Sequence, residues 1–369
     1  MNKKQTYYLI SRTLALDFVA GRVDQIANEL PKKKEDWQKW VQTGSDHYVL
    51  QSLYLALQKN QMLSLLPDEL CESLEHLYQL NFERNQKIIS QAYEIKESLE
   101  GEGIGCVFMK GAGNIFDGLY RDIGERMLYD LDILVEEQNM VSAAEILMDD
   151  GYHTQKKFDP AAHLSTMHYP ILVKEDCVAG VEIHRMPVHP GNLKALGTED
   201  VFTTRKAASQ EKEFWVMDDR KKIIHNFIHS QLMHDGHNHA DVSLRDLYDL
   251  LLLSRREDVF DVFKDLKHYR QKSNTYTRLM YEVFDLPMPE KMKKTSKPSL
   301  FFVKHNLLFS MTRKQRRVYH LVFQVFKKYI ALPFRTIWDK SSRNYVFSRL
   351  RRKEWYKQHL EAYKRKYFK

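Results

Sequence analysis

Between Met127 and Val135 the chain reads MLYDLDILV, placing two carboxylates inside a run otherwise as apolar as a core strand. An unpaired buried charge is costly, so such groups either pair with a cation or hold a metal. On a strand, alternate side chains share a face. Asp130 and Asp132 therefore point one way, while Tyr129, Leu131, Ile133 and Val135 take the opposite, core-facing side. At a rise of about 3.3 Å per residue the two Cα atoms lie roughly 7 Å apart. The run demands a sheet with a well-buried face, and something positive for both carboxylates to meet.

The surroundings supply such a sheet. Gly101, Gly103 and Gly105 end a helix and release the chain into a short apolar strand over 106–109. A Lys110-Gly111-Ala112-Gly113 turn then enters a helix over 112–119. Free backbone N–H groups at such a turn attract phosphate, small residues allow close approach, and Lys110 adds a cation. Glycine at a strand–helix turn is equally plain geometry. Residues 138–149 form an amphipathic helix that stops at Gly151. Apolar runs over 168–173 and 178–184 predict an antiparallel hairpin. Glu182 interrupts the second of them and shares its face with His184. Hard cations want oxygen ligands, and a two-metal site draws a third carboxylate from a neighbouring strand, a need Glu182 meets. The competing reading has Asp130 and Asp132 capping a strand end or pairing with Arg121 and Arg126.

A Lys-Gly turn, a helix ending in Tyr120, then Gly124-x-Arg126-x-x-x-Asp130-x-Asp132-Ile-Leu-Val135, and later Glu182-Ile-His184, together resemble the bacterial nucleotidyltransferase-like family of the polymerase-β-type superfamily. The helical lead-in and the LRDLYDL helix at 244–250 resemble it too. The likeness covers roughly residues 45–285, with its specific motifs in 104–135 and 180–185. It implies an α+β chain, with a small mixed-sheet nucleotidyltransferase domain embedded between helical N- and C-terminal regions. It also implies two Mg²⁺ (or Mn²⁺) ions on Asp130, Asp132 and Glu182 as the catalytic carboxylates. The reaction implied is transfer of a nucleoside monophosphate from an NTP to an acceptor, releasing pyrophosphate. Lys110, Gly111 and Ala112 are then the phosphate turn, with Arg126 and His184 as further nucleotide contacts. For Arg126 a salt bridge to Asp122 or Asp130 is the alternative. The superfamily's usual turn is Gly-Ser or Gly-Gly, and Lys110-Gly111 stands in its place. Two rival functions are a catalytically silent module that binds a nucleotide or partner, and an RNA-directed transferase acting on a tRNA end.

The expected division is a helical region over 1–100, a nucleotidyltransferase core over 101–190, a mostly helical substrate-side domain over 191–290 and a basic extension over 291–369. The first region carries no visible chemistry. In the third, a short strand at 213–217 precedes helices over 222–233 and 242–255. His225, His229, His234, His237 and His239 crowd around the intervening loop. His225 and His229 are spaced to hold zinc, but Asn226-Phe227-Ile228 between them lacks a metalloprotease glutamate, so packing and loop hydrogen bonding are expected. Arg245 and Asp249 are expected on the acceptor side, and Asp241 and Ser243 as helix N-caps.

Charge separates the extension from the rest. The formal net charge is +8, yet from Lys291 onward 23 Lys and Arg face three acids, leaving about −12 on the remainder. Aromatic and basic residues interleave over 300–369. That region is expected to lie on an anionic membrane, to bind nucleic acid such as RNA, or to dock on the acidic remainder; docking and membrane contact rank above RNA because no base-reading motif appears. Three widely spaced cysteines argue against a disulfide framework and suit a reducing cytoplasm. The N-terminal apolar run is broken by Ser11, Arg12 and Asp17, which predicts a helix rather than a signal peptide. No window approaches a membrane span, so the expected location is cytoplasmic, or peripheral to a membrane.

Overall fold

Among the described residues, seven short strands form one mixed sheet, and its two longest members carry the carboxylates. The structure is a computed structural model; it describes residues 1–154, 166–293 and 299–331, and positions 334, 336, 337 and 343 beyond them. The strands are β1 (Val107–Phe108), β2 (Asp130–Leu134), β3 (His153–Thr154), β4 (Leu172–Val173), β5 (Gly180–His184), β6 (Lys206–Ala207) and β7 (Trp215–Val216). Their order is β3-β4-β5-β2-β1-β7-β6. At the centre β2 and β5 run parallel, with Asp132 beside Glu182 and Leu134 beside His184. The expected hairpin is present, since β4 pairs antiparallel with β5. β1 lies antiparallel on the other side of β2. Leu131, Ile133, Leu134, Val181 and Ile183 are wholly buried, as strands covered on both faces should be. The α+β class and the helical flanks match the sequence-based expectation.

The first hundred residues are helical: α1 (Lys3–Leu14), α2 (Arg22–Glu29), α3 (Lys34–Asp46), α4 (Leu50–Lys59) and the long α5 (Asp68–Gly101). They do more than cover the sheet. On the buried face of α5, Asn81 donates to the Gly124 carbonyl at 2.7 Å, and Asn85 to those of Ile123 and Arg126 at 2.6 and 2.8 Å. Ser52 of α4 donates to the Glu125 carbonyl at 3.1 Å. Further along α5, Gln91 pairs both ways with the backbone of Ala179, at 2.8 and 3.1 Å. A buried carbonyl left unpaired costs about 1–3 kcal/mol. These amides and this hydroxyl therefore fix the loop that delivers the chain into β2 and the turn that delivers it into β5.

After β1, α6 (Lys110–Phe116) packs so closely on the sheet that a Cβ at Gly113 would sit 2.4 Å from the Phe108 carbonyl oxygen. Gly113 is thus a packing glycine. Phe108, Phe116 and Phe214 form the aromatic core beneath it, with ring centroids 4.3–5.2 Å apart. Where α6 ends, the fully buried Asp117 gathers Lys206 at 2.9 Å, Arg256 at 2.6 Å and Lys222. It also accepts from the backbone N–H and hydroxyl of Ser209 at 3.0 and 2.9 Å. Beyond β2, α7 (Met140–Asp149) buries Met140, Ala143, Ala144 and Leu147.

Two compact units emerge: one is Met1–Asn238 with Val242–Pro298, the other His239–Asp241 with Ser299–Lys369. The sheet and all the candidate site residues belong to the first. In the second, the helices Ser299–Ser310 and Arg313–Phe326 gather on His239–Asp241. There the Asp241 carboxylate meets His320 Nε2 at 3.1 Å. In the first unit, Ser243 is the N-cap residue of the Leu244–Leu253 helix without a side-chain hydrogen bond to it. Among the described residues no helix is long and apolar enough to cross a membrane.

Candidate active site

Strand alternation and the β2–β5 register bring Asp132, Glu182 and His184 together. One ligand atom from each lies within 4.8 Å of the other two. His184 Nε2 is 2.8 Å from Asp132 Oδ1 and 3.3 Å from Glu182 Oε2. The cation that meets Asp132 is Lys110, with Nζ at 2.6 Å, and Glu182 lies 3.9 Å from the same ammonium. Lys110 adopts φ +51°, a left-handed conformation costing a side-chain-bearing residue about 1–2 kcal/mol. It opens the turn into α6, which explains why glycine would suit this position. Behind it, a Cβ at Gly111 would strike Leu128 Cδ2 at 2.6 Å and approach the Arg126 guanidinium. Ala112 follows, buried in α6.

Burial alone would raise the Asp132 pKa, but Lys110 and His184 hold it well below the usual carboxylate range. The same ion pairs work in reverse on the cations. Burial opposes charge on Lys110 and His184, yet Asp132, aided by Glu182, leaves both pKa values raised. Asp130 differs. It is part-exposed, and burial together with the charges of Asp132 and Glu182 pushes its carboxyl up to about 6, with Lys110 offsetting them only in part. The pairing alternative for the two aspartates does not hold. Arg121 pairs with Glu125 and Asp17, and Arg126 with Asp249. A cluster of carboxylate oxygens and one imidazole nitrogen, with a neighbouring carboxyl that resists ionising, fits a divalent cation.

The family described as uncharacterised nucleotidyltransferase matches residues 33–274, which take in the whole sheet. The chain belongs to this nucleotidyltransferase family. No curated protein and no solved structure matches it.

The remaining sequence candidates fall into distinct places. Arg126 and Asp249 meet each other: the guanidinium reaches the carboxylate at 3.1 Å, and Tyr120 donates to it at 2.9 Å, all buried. The pair ties the loop before β2 to the Leu244–Leu253 helix. Arg245 lies over the ring of Tyr48 at 5.2 Å, and Tyr48 packs edge-on against Tyr129 at 5.5 Å. Both tyrosines are exposed; Tyr129, expected to face the core, lies just before the strand that begins at Asp130 and so escapes its alternation.

The crowded histidines do not form one cluster. His225 Nε2 lies 3.1 Å from the Pro187 carbonyl, and burial with Lys110 nearby pushes its pKa down to about 4. A π-helical turn over Ile228–Met233 brings His229 and His234 together, Nε2 to Nε2 at 3.1 Å. Five residues apart, they would diverge on a regular α-helix. His239 packs instead with Phe323 and His320 of the second unit. Asn81, Asn85 and Ser52, which hold the β2 loop, were hidden in the sequence. Their signal is two asparagines four apart on a helix face that also buries Leu74, Ile88 and Ile95.

A prediction follows from Asp130. Its folded-state pKa of about 6 exceeds the unfolded value of about 4, so its contribution favours folding at low pH and is lost as pH rises through 6. Asp130→Asn removes that cost. In EDTA at pH 8 the variant should be about 1–2 kcal/mol more stable than the parent by urea unfolding. The gap should narrow as pH is lowered through 6 towards 4.

Proposed function

We propose that the protein is a nucleotidyltransferase of the polymerase-β type, moving a nucleoside monophosphate from an NTP to an acceptor hydroxyl. The observation that carries this reading is the placement of Asp132, Glu182 and His184 on two adjacent parallel strands, beside a strand–helix turn that presents Lys110. Asp132, Glu182 and His184 would hold Mg²⁺ or Mn²⁺, with Asp130 as the further carboxylate at the open end. When bound, a divalent ion supplies charge neutralisation for the phosphates and a lowered pKa for the acceptor hydroxyl.

The chain's own groups divide the remaining work. The acceptor oxygen attacks the α-phosphorus, the bond to the bridging α–β oxygen breaks, and pyrophosphate leaves. Lys110, partly open to solvent, meets the triphosphate as a point charge. Glu182 is more exposed than Asp132 and accepts the proton from the acceptor. Arg126 acts at one remove, since its pairing with Asp249 and its approach to Gly111 keep the turn in place. Tyr48 and Tyr129 offer a stacking surface for a planar substrate group beside Asp130.

The test is pyrophosphate release from each of the four NTPs with Mg²⁺ and a panel of hydroxyl-bearing acceptors. Release from at least one NTP, stopped by EDTA, is expected. NTP binding with no release across the panel would favour a silent nucleotide-binding module instead.

A further inference from the structure

Two described helices of the second unit leave apolar stripes open to water. A surface helix normally turns its apolar stripe inward and its charges to solvent. In the helix Arg313–Phe326 and the turn after it, Val318, Val322, Val325, Phe326 and Tyr329 recur at three- and four-residue spacing and are all exposed; Val322 and Tyr329 keep about 60% of their surface open. The side turned inward is mixed: Phe323 packs on His239 with ring centroids 4.2 Å apart, among polar contacts. His320 Nε2 lies 3.1 Å from Asp241 Oδ2, Tyr319 donates to the His239 carbonyl at 3.3 Å, and Arg316 donates to the Leu308 carbonyl at 3.1 Å.

The helix Ser299–Ser310 also leaves an apolar stripe open, though its inner side is apolar as well. Phe301, Phe302, His305 and Leu308 are buried, yet Leu300, Val303 and Leu307 stand 67%, 62% and 52% exposed on the other side. A helix apolar on both sides belongs in a core or against lipid. Neither it nor its neighbour is long and apolar enough to cross a bilayer.

We infer that these two helices form a surface that lies on an anionic membrane, each dipping its exposed stripe into the headgroup boundary. Charge selects the occupant. Residues 291–369 carry a formal +20, and Lys314, exposed, lies one turn before Val318 on the same side of its helix. A second copy would bring +20 against +20. Nucleic acid would satisfy the cations but leave Leu300, Val303, Val318 and Val322 facing water, because aliphatic side chains neither stack on bases nor neutralise phosphate. An anionic lipid surface satisfies both the charge and the aliphatic stripes.

Flotation of the full chain with lipid vesicles tests the inference. Vesicles of phosphatidylcholine with an equal part of phosphatidylglycerol should carry the protein, and pure phosphatidylcholine should carry at least about tenfold less. Val318→Asp with Val322→Asp and Phe326→Asp should lower binding at least about tenfold. These side chains are exposed, so the helices stay packed, which circular dichroism verifies. Lys314→Gln with Arg317→Gln should weaken binding to the anionic vesicles about tenfold and leave the residual binding to phosphatidylcholine unchanged. Failure to float with either vesicle overturns the proposal. So does a dimer abolished by the triple substitution, or salt-sensitive RNA binding that outcompetes the vesicles.

Discussion

Asp132→Asn should lower nucleotidyl transfer by about 10³-fold, chiefly in kcat. The substitution keeps the size and most of the hydrogen-bonding geometry of a side chain only 2% exposed, and removes its charge. That charge is the common partner of Lys110 at 2.6 Å and His184 at 2.8 Å. Without it the Lys110 ammonium loses its nearest anion, leaving Glu182 at 3.9 Å, and the cluster loses the carboxylate that Lys110 and His184 hold ionised. Glu182→Gln should cost less, on the order of 10²-fold, because a bound water can take over the proton. The check is kcat and KM for the NTP in the pyrophosphate assay, beside a thermal melt showing that the variants remain folded. A loss confined to KM would place Asp132 in uniform binding rather than in the chemistry.

The largest stability effect should come from a residue far from any substrate. Asp117→Asn is expected to destabilise the first unit by about 3 kcal/mol at pH 7. Asp117 is fully buried and, with the part-buried Asp219, faces Lys206, Lys222 and Arg256. Two anions already meet three cations, and neutralising Asp117 leaves one anion against three. Asp219 retains contacts to all three cations, which keeps the loss near the low end for a broken buried pair. The pH dependence has a definite sign. Burial would raise the Asp117 pKa, but Lys222 and Lys206 hold it well below the usual carboxylate range. Its contribution is therefore complete above the unfolded value of about 4 and is lost as pH falls below it. Urea unfolding should show parent and variant converging as pH drops from 5 towards 2.

What was legible in the sequence is what strand alternation fixes locally. Asp130, Asp132, Glu182 and His184 each declared themselves as a polar residue in an apolar strand, and a period of two assigned their faces. The β2–β5 register then brought Asp132 to Glu182, as a third carboxylate from a neighbouring strand requires. Less visible was anything set by partners distant in sequence. Arg126 looked like a phosphate contact because its acid, Asp249, lies 123 residues away. Asn81 and Asn85 lie in a region that shows no chemistry in sequence, and their partners are carbonyls about forty residues downstream. Periodicity could not show that Lys110 is left-handed, or that a π turn joins His229 to His234, since both depend on backbone angles. The basic extension was legible in charge but not in orientation. Only the packing shows its helices turning their apolar stripes outward.

Mn²⁺ titration of the full chain followed by electron paramagnetic resonance tests most directly whether Asp132, Glu182 and His184 hold a divalent ion. Spectral loss of free Mn²⁺ should saturate at a stoichiometric amount in the presence of an NTP. The Asp132→Asn, Glu182→Gln double variant, folded by circular dichroism, should bind at least about tenfold more weakly. Equal Mn²⁺ binding by parent and double variant, or none by the parent with any NTP, would contradict the metal site.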